Sequence, residues 1–229
     1  MVQVPSSKTG GRNARAAEKE GSHQNLRDTQ FKNRCQRFVD VAEELFLEHG
    51  FAGTSVNEVV RRAGGSLATL YAEFRTKDEL FEAVMNRRAA KMFTNILVGA
   101  SDAVGIKDEL EKVARQLLGY MLSESALAVY RLAVHDGPKF PAVRNAVLVT
   151  GLQGFLRQLG EYFAGLVKAG KLEINDTAVA AELFLTLIQG QMRTIAACGD
   201  VGRISDADCN AHVKFAVFVF LKVYPPQAR

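Results

Sequence analysis

Three helix-start signals within 22 residues constrain the fold of this chain more than any other feature of its sequence. Ser55 and Thr76 are each followed by a Glu three positions later, the spacing of a capping box at a helix N-terminus. Between them, Ser66 comes directly after two glycines and can cap the helix that follows this turn. Two short helices joined by a tight glycine turn predict a helix-turn-helix over about residues 55–74.

A helix-turn-helix cannot bury its own apolar faces, so it needs a helix on each side. Before it, apolar residues recur every three or four positions, as on one face of an amphipathic helix: Phe31, Cys35, Phe38, Val41, Ala42, Leu45 and Phe46. Gly50 then follows as a favoured helix C-terminal residue. After it, Thr76 opens a longer helix. We therefore expect a three-helix helix-turn-helix domain over residues 29–91.

The rest of the chain, residues 92–229, also has helical periodicity and contains no alternating segment typical of a strand. Its breaks fall at glycines and prolines, which separate five further predicted helices. These helices are Lys107–Leu122, Glu124–Val134, Val143–Ala169, Asp176–Ala197 and Asp206–Val223. The predicted fold class is all-α, with a second helical domain after the helix-turn-helix domain.

The net charge of +4 is concentrated at the amino end. Residues 1–37 hold eight Lys or Arg against three Asp or Glu, whereas residues 38–91 hold seven against nine. Residues 1–28 have few large apolar side chains, so we expect a disordered basic tail there. Such a tail favours contact with nucleic acid or an anionic membrane surface, although it can also be merely solvated.

Several function classes lack support in the sequence. We find no nucleophile–base pair, carboxylate dyad or glycine-rich phosphate loop, so we expect no enzyme activity and no cofactor. The four histidines have no ligand spacing, which argues against a metal site. Three widely spaced cysteines and the lack of a signal peptide or a spanning segment predict a cytoplasmic protein without a membrane partner.

The second helix of a helix-turn-helix enters the major groove of DNA with its N-terminal end first. Here that end carries small polar and apolar side chains that suit base edges, namely Ser66, Leu67, Ala68 and Thr69, and Tyr71 can reach a phosphate. Lys77 begins the next helix and can pair with phosphate. Further positive charge is expected from Arg61, Arg62 and Arg75.

The helix-turn-helix block and the helix before it resemble the tetracycline-repressor (TetR) family of DNA-binding regulators. The resemblance rests on "A-EELF-EHGF-GTSV" at 42–56 and "RRAGGSLATLYAEF-TKDELF" at 61–81. It departs from the family at Gly65, where Val is usual, and at Leu67, where Lys is common. It implies that Thr69 and Tyr71 face DNA, that Ser66 and Ala68 lie at the groove, and that Thr54, Ser55 and Lys77 touch the DNA backbone.

The carboxy-terminal part contains "RLAVHDGPKFPAVRNAV" at 131–147 and "GKLEINDTAVAAELFLTLIQGQMR" at 170–193. These stretches are similar, more loosely, to the effector domain of a TetR subgroup that includes efflux-pump repressors. That resemblance implies a ligand cavity in the middle helices and dimerisation through the last two. The last helix is apolar nearly all round, so it either lies in the monomer core or packs across a twofold axis, and we favour the dimer. The expected interface residues are Leu183, Leu187, Met192, Phe215 and Phe218.

Cavities for small molecules are mostly apolar with a few polar groups, which selects the ligand-binding candidates Phe93, Leu97, Met121, Tyr130, His135 and Phe155. The predicted function is that of a ligand-responsive transcriptional regulator. It would act as a repressor, binding a palindromic double-stranded DNA operator as a homodimer until a small apolar effector releases it. The alternative is an all-α protein that binds a membrane surface or a protein partner without DNA specificity.

Overall fold

The computed structural model describes the backbone of residues 10–97 and 105–227, and side chains within 31–91 and 105–227 apart from Lys32 and Val201. In this described part the protein is all-α and has no strand, as predicted. Eleven α-helices follow one another: α1 Gly10–Gly53, α2 Val56–Ala63, α3 Leu67–Glu73, α4 Lys77–Leu97, α5 Ile106–Leu122, α6 Glu124–Asp136, α7 Pro141–Asn145, α8 Gly154–Lys168, α9 Thr177–Gln189, α10 Met192–Ala197 and α11 Asp206–Val223.

Two hydrophobic cores divide the helices. The first joins α1–α4 and also takes in buried residues from α6 and α7, and its centre is a set of rings in which Phe81 meets Phe46 and Phe51 edge-on at centroid distances of 5.0 and 5.3 Å. The second joins α5, α8, α9 and α11 around Phe163, Phe184 and Phe220. Each core therefore has its own aromatic cluster, and α6 and α7 contribute buried residues to the first one.

Helix α1 is longer than the sequence predicts. It begins at Gly10, so residues 10–28 are helical where we expected a tail without regular structure, and residues 1–9 lie outside the described residues. The reason is local, because the segment is rich in Ala, Arg, Lys and Glu, which are good helix formers. Near its other end, Gly50 interrupts the helix with a φ of 73°, a left-handed conformation that favours glycine.

Two of the three predicted helix starts have the expected side-chain caps. The Ser66 hydroxyl accepts a hydrogen bond from the Thr69 N–H at 3.2 Å, and the Thr76 hydroxyl accepts one from the Glu79 N–H at 3.1 Å. The Glu79 carboxylate reaches back to the N–H of Arg75 at 2.9 Å, one residue before the predicted partner. These caps fix where α3 and α4 begin.

The third start is correct in position but not in mechanism. Ser55 is the residue before α2, yet its side chain makes no capping hydrogen bond. Glu58, its predicted partner, accepts hydrogen bonds from Arg61 and Arg62 of the same helix. Ion pairs with two guanidinium groups outweigh one hydrogen bond to a backbone N–H, so the carboxylate turns toward the arginines.

Two long helices predicted in the second half are interrupted. A π-helical segment over Ala146–Gln153 lies between α7 and α8, and Gly190 separates α9 from α10 with a φ of 43°. A Cβ at Gly190 would lie 2.7 Å from the ring of His212, whose Nε2 is 2.9 Å from the Ile188 carbonyl oxygen. The approach of α11 to this point therefore needs a residue without a side chain.

Within the described residues no single helix is long and apolar enough to cross a bilayer. Helices α5 and α6 reach the necessary length and hydropathy only when they are taken together, and the pair is bent by 63° at the break between them.

Candidate nucleic-acid interface and ligand cavity

Helix α3 presents one face to solvent and anchors itself with the other. Leu70 is completely buried in the first core, whereas Leu67 and Tyr71 are 39% and 46% exposed. Ser66 and Ala68 are exposed and Thr69 is half-buried. The Ser66 and Thr69 hydroxyls lie 2.9 Å apart at the N-terminal end of the helix. The predicted base-reading residues thus form one accessible surface at that end.

Thr54 is not available for the DNA contact that the resemblance implied. Its side chain is only 4% exposed, and its hydroxyl donates to the carbonyl oxygens of Leu45, at 3.0 Å, and Gly50, at 2.8 Å. It therefore holds the interrupted end of α1 together. Ser55, the next residue, is exposed and makes no side-chain capping bond, so its hydroxyl stays accessible.

The positive charge expected from α2 is already paired. Glu58 binds Arg61 and Arg62 at 2.6 and 2.7 Å, and these two hydrogen bonds lower the pKa of the Glu58 carboxyl to about 2. The guanidinium groups remain on the surface, but a phosphate would have to compete with Glu58 for them. Arg75, between α3 and α4, is also exposed, and no carboxylate forms an ion pair with its guanidinium in the described part of the chain.

Lys77 lies partly inside the protein rather than on an open surface. Its ammonium group is 4.5 Å from the centre of the Phe51 ring, a cation–π contact. Burial lowers the pKa of Lys77, against the opposing effect of the charges on Asp78 and Asp136. The residue therefore stabilises the junction between α1 and α4 as well as offering its charge to a partner.

One buried carboxylate makes a polar contact between α6 and the end of α1 at this junction. Asp136, the last residue of α6, is 3% exposed, and its Oδ2 accepts a hydrogen bond from the Phe51 N–H at 2.8 Å. Its Oδ1 lies 2.7 Å from Nδ1 of His135. His135, predicted to bind ligand, is instead exposed and does not line the cavity described next. It sits on the outer side of α6, where it orients Asp136.

A cavity of about 470 Å³ opens between α4, α5, α6, the π-helical segment and α8. Three predicted ligand-binding residues line it, namely Met121, Tyr130 and Phe155. The side chains of the predicted residues Phe93 and Leu97 lie outside those that the structure describes. The wall is mostly apolar, as is usual for small-molecule sites; its further apolar members include Met85, Leu117, Val129, Val147, Leu152 and Leu185.

Among the polar residues of the cavity wall, Tyr130 was predicted. Tyr120, Arg88, Arg144 and Arg193 also line the wall and were not. Arg193 belongs to α10, and its guanidinium carbon lies 4.4 Å from the centre of the Tyr130 ring. In the sequence, the one available signal was a lone arginine within an otherwise apolar helical stretch, which periodicity alone cannot assign to a cavity.

The predicted dimer residues fall into two groups. Leu183, Leu187 and Met192 are half-buried and pack against the second core. Phe215 and Phe218 of α11 are 65% and 54% exposed. Helix α11 therefore contributes to the monomer core on one side and exposes aromatic rings to solvent on the other.

Two family models match the chain and together span most of it. Residues 38–84 match the model described as bacterial regulatory proteins, tetR family. Residues 108–226 match the C-terminal domain of the AefR-like transcriptional repressors, which is just over half of the chain.

Individual proteins agree with these models. The HTH-type transcriptional regulator SrpR of Pseudomonas putida is 24% identical over 156 residues, which is 68% of this chain and 71% of SrpR. A TetR-family regulator structure from Mesorhizobium loti superposes with a TM-score of 0.75 at 24% identity, covering 85% of this chain and 98% of that one. The flavonoid-responsive regulator FrrA superposes with a TM-score of 0.72 at 26% identity, covering 86% and 100%.

Proposed function

The chain belongs to the TetR family of bacterial transcriptional regulators, and on that premise we propose that it is a dimeric repressor released from its operator by a ligand in the cavity. Members of the family are ligand-responsive DNA-binding regulators rather than enzymes. Residues 29–91 form the DNA-binding domain, residues 92–229 form the effector and dimerisation domain, and the protein works in the cytoplasm, where its DNA target lies.

The DNA-reading role of α3 is supported by its exposed N-terminal end. Ser66, Ala68 and Thr69 meet base edges there, and Tyr71 donates its hydroxyl to a phosphate. Ser55 adds a second phosphate contact from the start of α2. Because Arg61 and Arg62 are paired with Glu58, specific contacts carry more of the affinity here than net charge does.

A homodimer is supported by the exposed phenyl rings of α11. Two copies of Phe215 and Phe218 would cover one another across a twofold axis, which removes apolar surface from water. Such a dimer presents two α3 helices to successive major grooves. It would therefore recognise a palindromic operator with half-sites about one helical turn apart.

The proposed ligand response is supported by the contacts at the two ends of α6. Tyr130 lines the cavity, and Asp136 at the end of the same helix holds the N–H of Phe51 at the end of α1. A ligand that shifts α6 therefore displaces the attachment of the DNA-binding helices. The effector binds better to the conformation whose α3 helices are wrongly spaced for the operator, and so it shifts the population off DNA.

The test is fluorescence anisotropy with DNA fragments from upstream of the gene and its neighbours, each compared with a scrambled fragment of the same composition. We expect one fragment to bind much more tightly than its scrambled control, with affinity that falls as salt rises. Equal, weak binding to every fragment would refute the proposal.

A further inference from the structure

The charges around the cavity all have the same sign. Its lining includes three arginines, Arg88, Arg144 and Arg193, and two tyrosines, whereas none of its described lining residues is Asp or Glu. A cavity of this kind repels cations and attracts anions, because its apolar walls keep the local dielectric low. The lining therefore favours a ligand that carries negative charge.

The three arginines differ in what already neutralises them. Arg88 forms an ion pair with Glu43, which also pairs with Arg87. Arg144 is exposed, so water solvates its charge. Arg193 is half-buried, and no carboxylate pairs with it in the described part of the chain.

Arg193 is held in place by one contact, but one of its hydrogen-bond donors has no acceptor in the described part of the chain. Its guanidinium stacks on the Tyr130 ring, while its buried Nε–H has no acceptor in the described part of the chain. Burial lowers the pKa of the Arg193 guanidinium below its usual value, against the smaller opposing effect of Tyr130 and Tyr120. Arginine nevertheless stays a cation in proteins. A buried guanidinium N–H without an acceptor costs free energy, so an anion that binds there would be stabilised.

We propose that the effector is an organic acid, with an apolar body in the cavity and one carboxylate group bound by Arg193. This inference rests on the proposed function, in which the cavity is the effector site. The apolar side chains, among them Leu117, Met121 and Phe155, bury the body of the ligand. The planar guanidinium matches the two oxygens of a carboxylate.

The position of Arg193 also connects such a ligand to the DNA-binding half. Helix α10 is tied to α6 by Arg131, whose Nε donates to the Ala197 carbonyl oxygen at 2.8 Å. A carboxylate that draws the Arg193 guanidinium away from the Tyr130 ring acts on α6 directly. The same helix ends at Asp136, which holds Phe51.

The test measures binding of two acids and their neutral amides to the full-length protein by isothermal titration calorimetry. The probes are 2-naphthoate against 2-naphthamide and decanoate against decanamide, at neutral pH. We expect at least one acid to bind about tenfold or more tightly than its amide, the range for a hydrogen bond to a charged group. If neither acid is preferred over its amide, the proposal is overturned.

Variants assign the preference to one residue. In Arg193→Met, which keeps an apolar side chain of similar length, the acid should lose its advantage over the amide, and Arg193→Lys should keep part of it. Arg157→Met is the matched control, because it removes an exposed cation of α8 that does not line this cavity and should leave the preference intact. A preference that survives in a folded Arg193→Met protein, or that is lost to the same extent in Arg157→Met, overturns the assignment.

Failure of this inference is distinguishable from failure of the proposed function. Operator binding by the wild-type protein without added acid tests the repressor proposal alone. A protein that binds its operator but shows no preference for acids refutes the inference only. One that prefers acids through Arg193 but binds no specific DNA refutes the repressor proposal.

Discussion

The backbone N–H of Phe51 donates a 2.8 Å hydrogen bond to the carboxylate of Asp136, 85 positions further along the chain. The contact closes the interrupted end of α1 onto the end of α6. Space is tight there, since a Cβ at Gly50 would lie 3.0 Å from the same carboxylate oxygen. The contact between α1 and α6 is thus a directional hydrogen bond, supported by the packing of the Phe51 and Phe140 rings and by the residues of α6 and α7 that are buried in the first core.

This contact predicts an acid-dependent loss of stability. Burial raises the pKa of Asp136, but the hydrogen bonds from His135 and Phe51 lower it by more, so the pKa in the folded protein lies below the usual 3.8. A carboxyl whose pKa is lowered by folding adds stability above its ordinary pKa and loses it as the pH falls through the lower, folded value. We expect the free energy of unfolding to decrease as the pH falls below about 4.

Asp136→Asn tests the assignment by chemical denaturation across that range. The variant should be less stable by about 1–3 kcal/mol at neutral pH and should change less in acid, because it has no carboxyl to protonate. Asp108→Asn, on the exposed first turn of α5, is the control and should keep the wild-type profile. An Asp136→Asn protein as stable as wild type at neutral pH would contradict the prediction.

Thr54 and Ser55 are neighbours with opposite expected effects. Thr54→Val removes a buried hydroxyl that bonds two carbonyl oxygens, so it should lower the free energy of unfolding by about 1–2 kcal/mol and leave operator affinity within about twofold. Ser55→Ala removes an exposed hydroxyl without a capping bond, so it should leave the free energy of unfolding nearly unchanged and weaken operator binding. Thermal melts and anisotropy separate the two, and a reversed pattern would restore Thr54 as the DNA contact.

Tyr71 should matter for DNA binding and not for folding. Its side chain is 46% exposed, so Tyr71→Ala should leave the melting temperature nearly unchanged while weakening operator binding by about tenfold, the value of one good polar contact. Tyr71→Phe isolates the hydroxyl. Leu70→Ala is the opposite control, since it empties a completely buried position and should cost about 2–5 kcal/mol of stability. A Tyr71→Ala protein with a lowered melting temperature and unchanged DNA affinity would show that the residue faces inward.

Phe215 should hold the dimer together. Placing a charge at this exposed position, as in Phe215→Glu, should give a helical monomer by analytical ultracentrifugation and weaken operator binding, because only one α3 can then engage. Val149→Glu adds the same charge at an exposed apolar position in the π-helical segment and should remain dimeric. If Phe215→Glu and Val149→Glu have the same molecular mass in solution, the proposed interface at Phe215 is refuted.

The basic amino end should contribute to affinity through charge. Deleting residues 1–28 removes five Lys or Arg and three Asp or Glu. We expect weaker operator binding with a shallower dependence on salt, since fewer phosphates are neutralised. Vesicle binding that is lost on the same deletion, with operator affinity unchanged, would instead support the membrane-surface alternative.

Much of the helical framework could be read from short stretches of sequence. The last helix, Asp206–Val223, has the predicted bounds, and the caps at Ser66 and Thr76 mark where α3 and α4 begin. These signals depend on interactions between residues a few positions apart. The Ser55 box failed for the same local reason, because two arginines within four positions of Glu58 compete for its carboxylate.

The sequence by itself therefore determined the all-α class and the helix-turn-helix, since periodicity and capping depend on residues a few positions apart, and its resemblance to TetR regulators indicated the family. Only the tertiary structure decided that Thr54 is buried, that His135 supports Asp136 rather than lining the cavity, and that Arg193 reaches Tyr130. Each of these depends on side chains brought together from distant helices. No local pattern encodes such convergence, because it is set by how the helices pack.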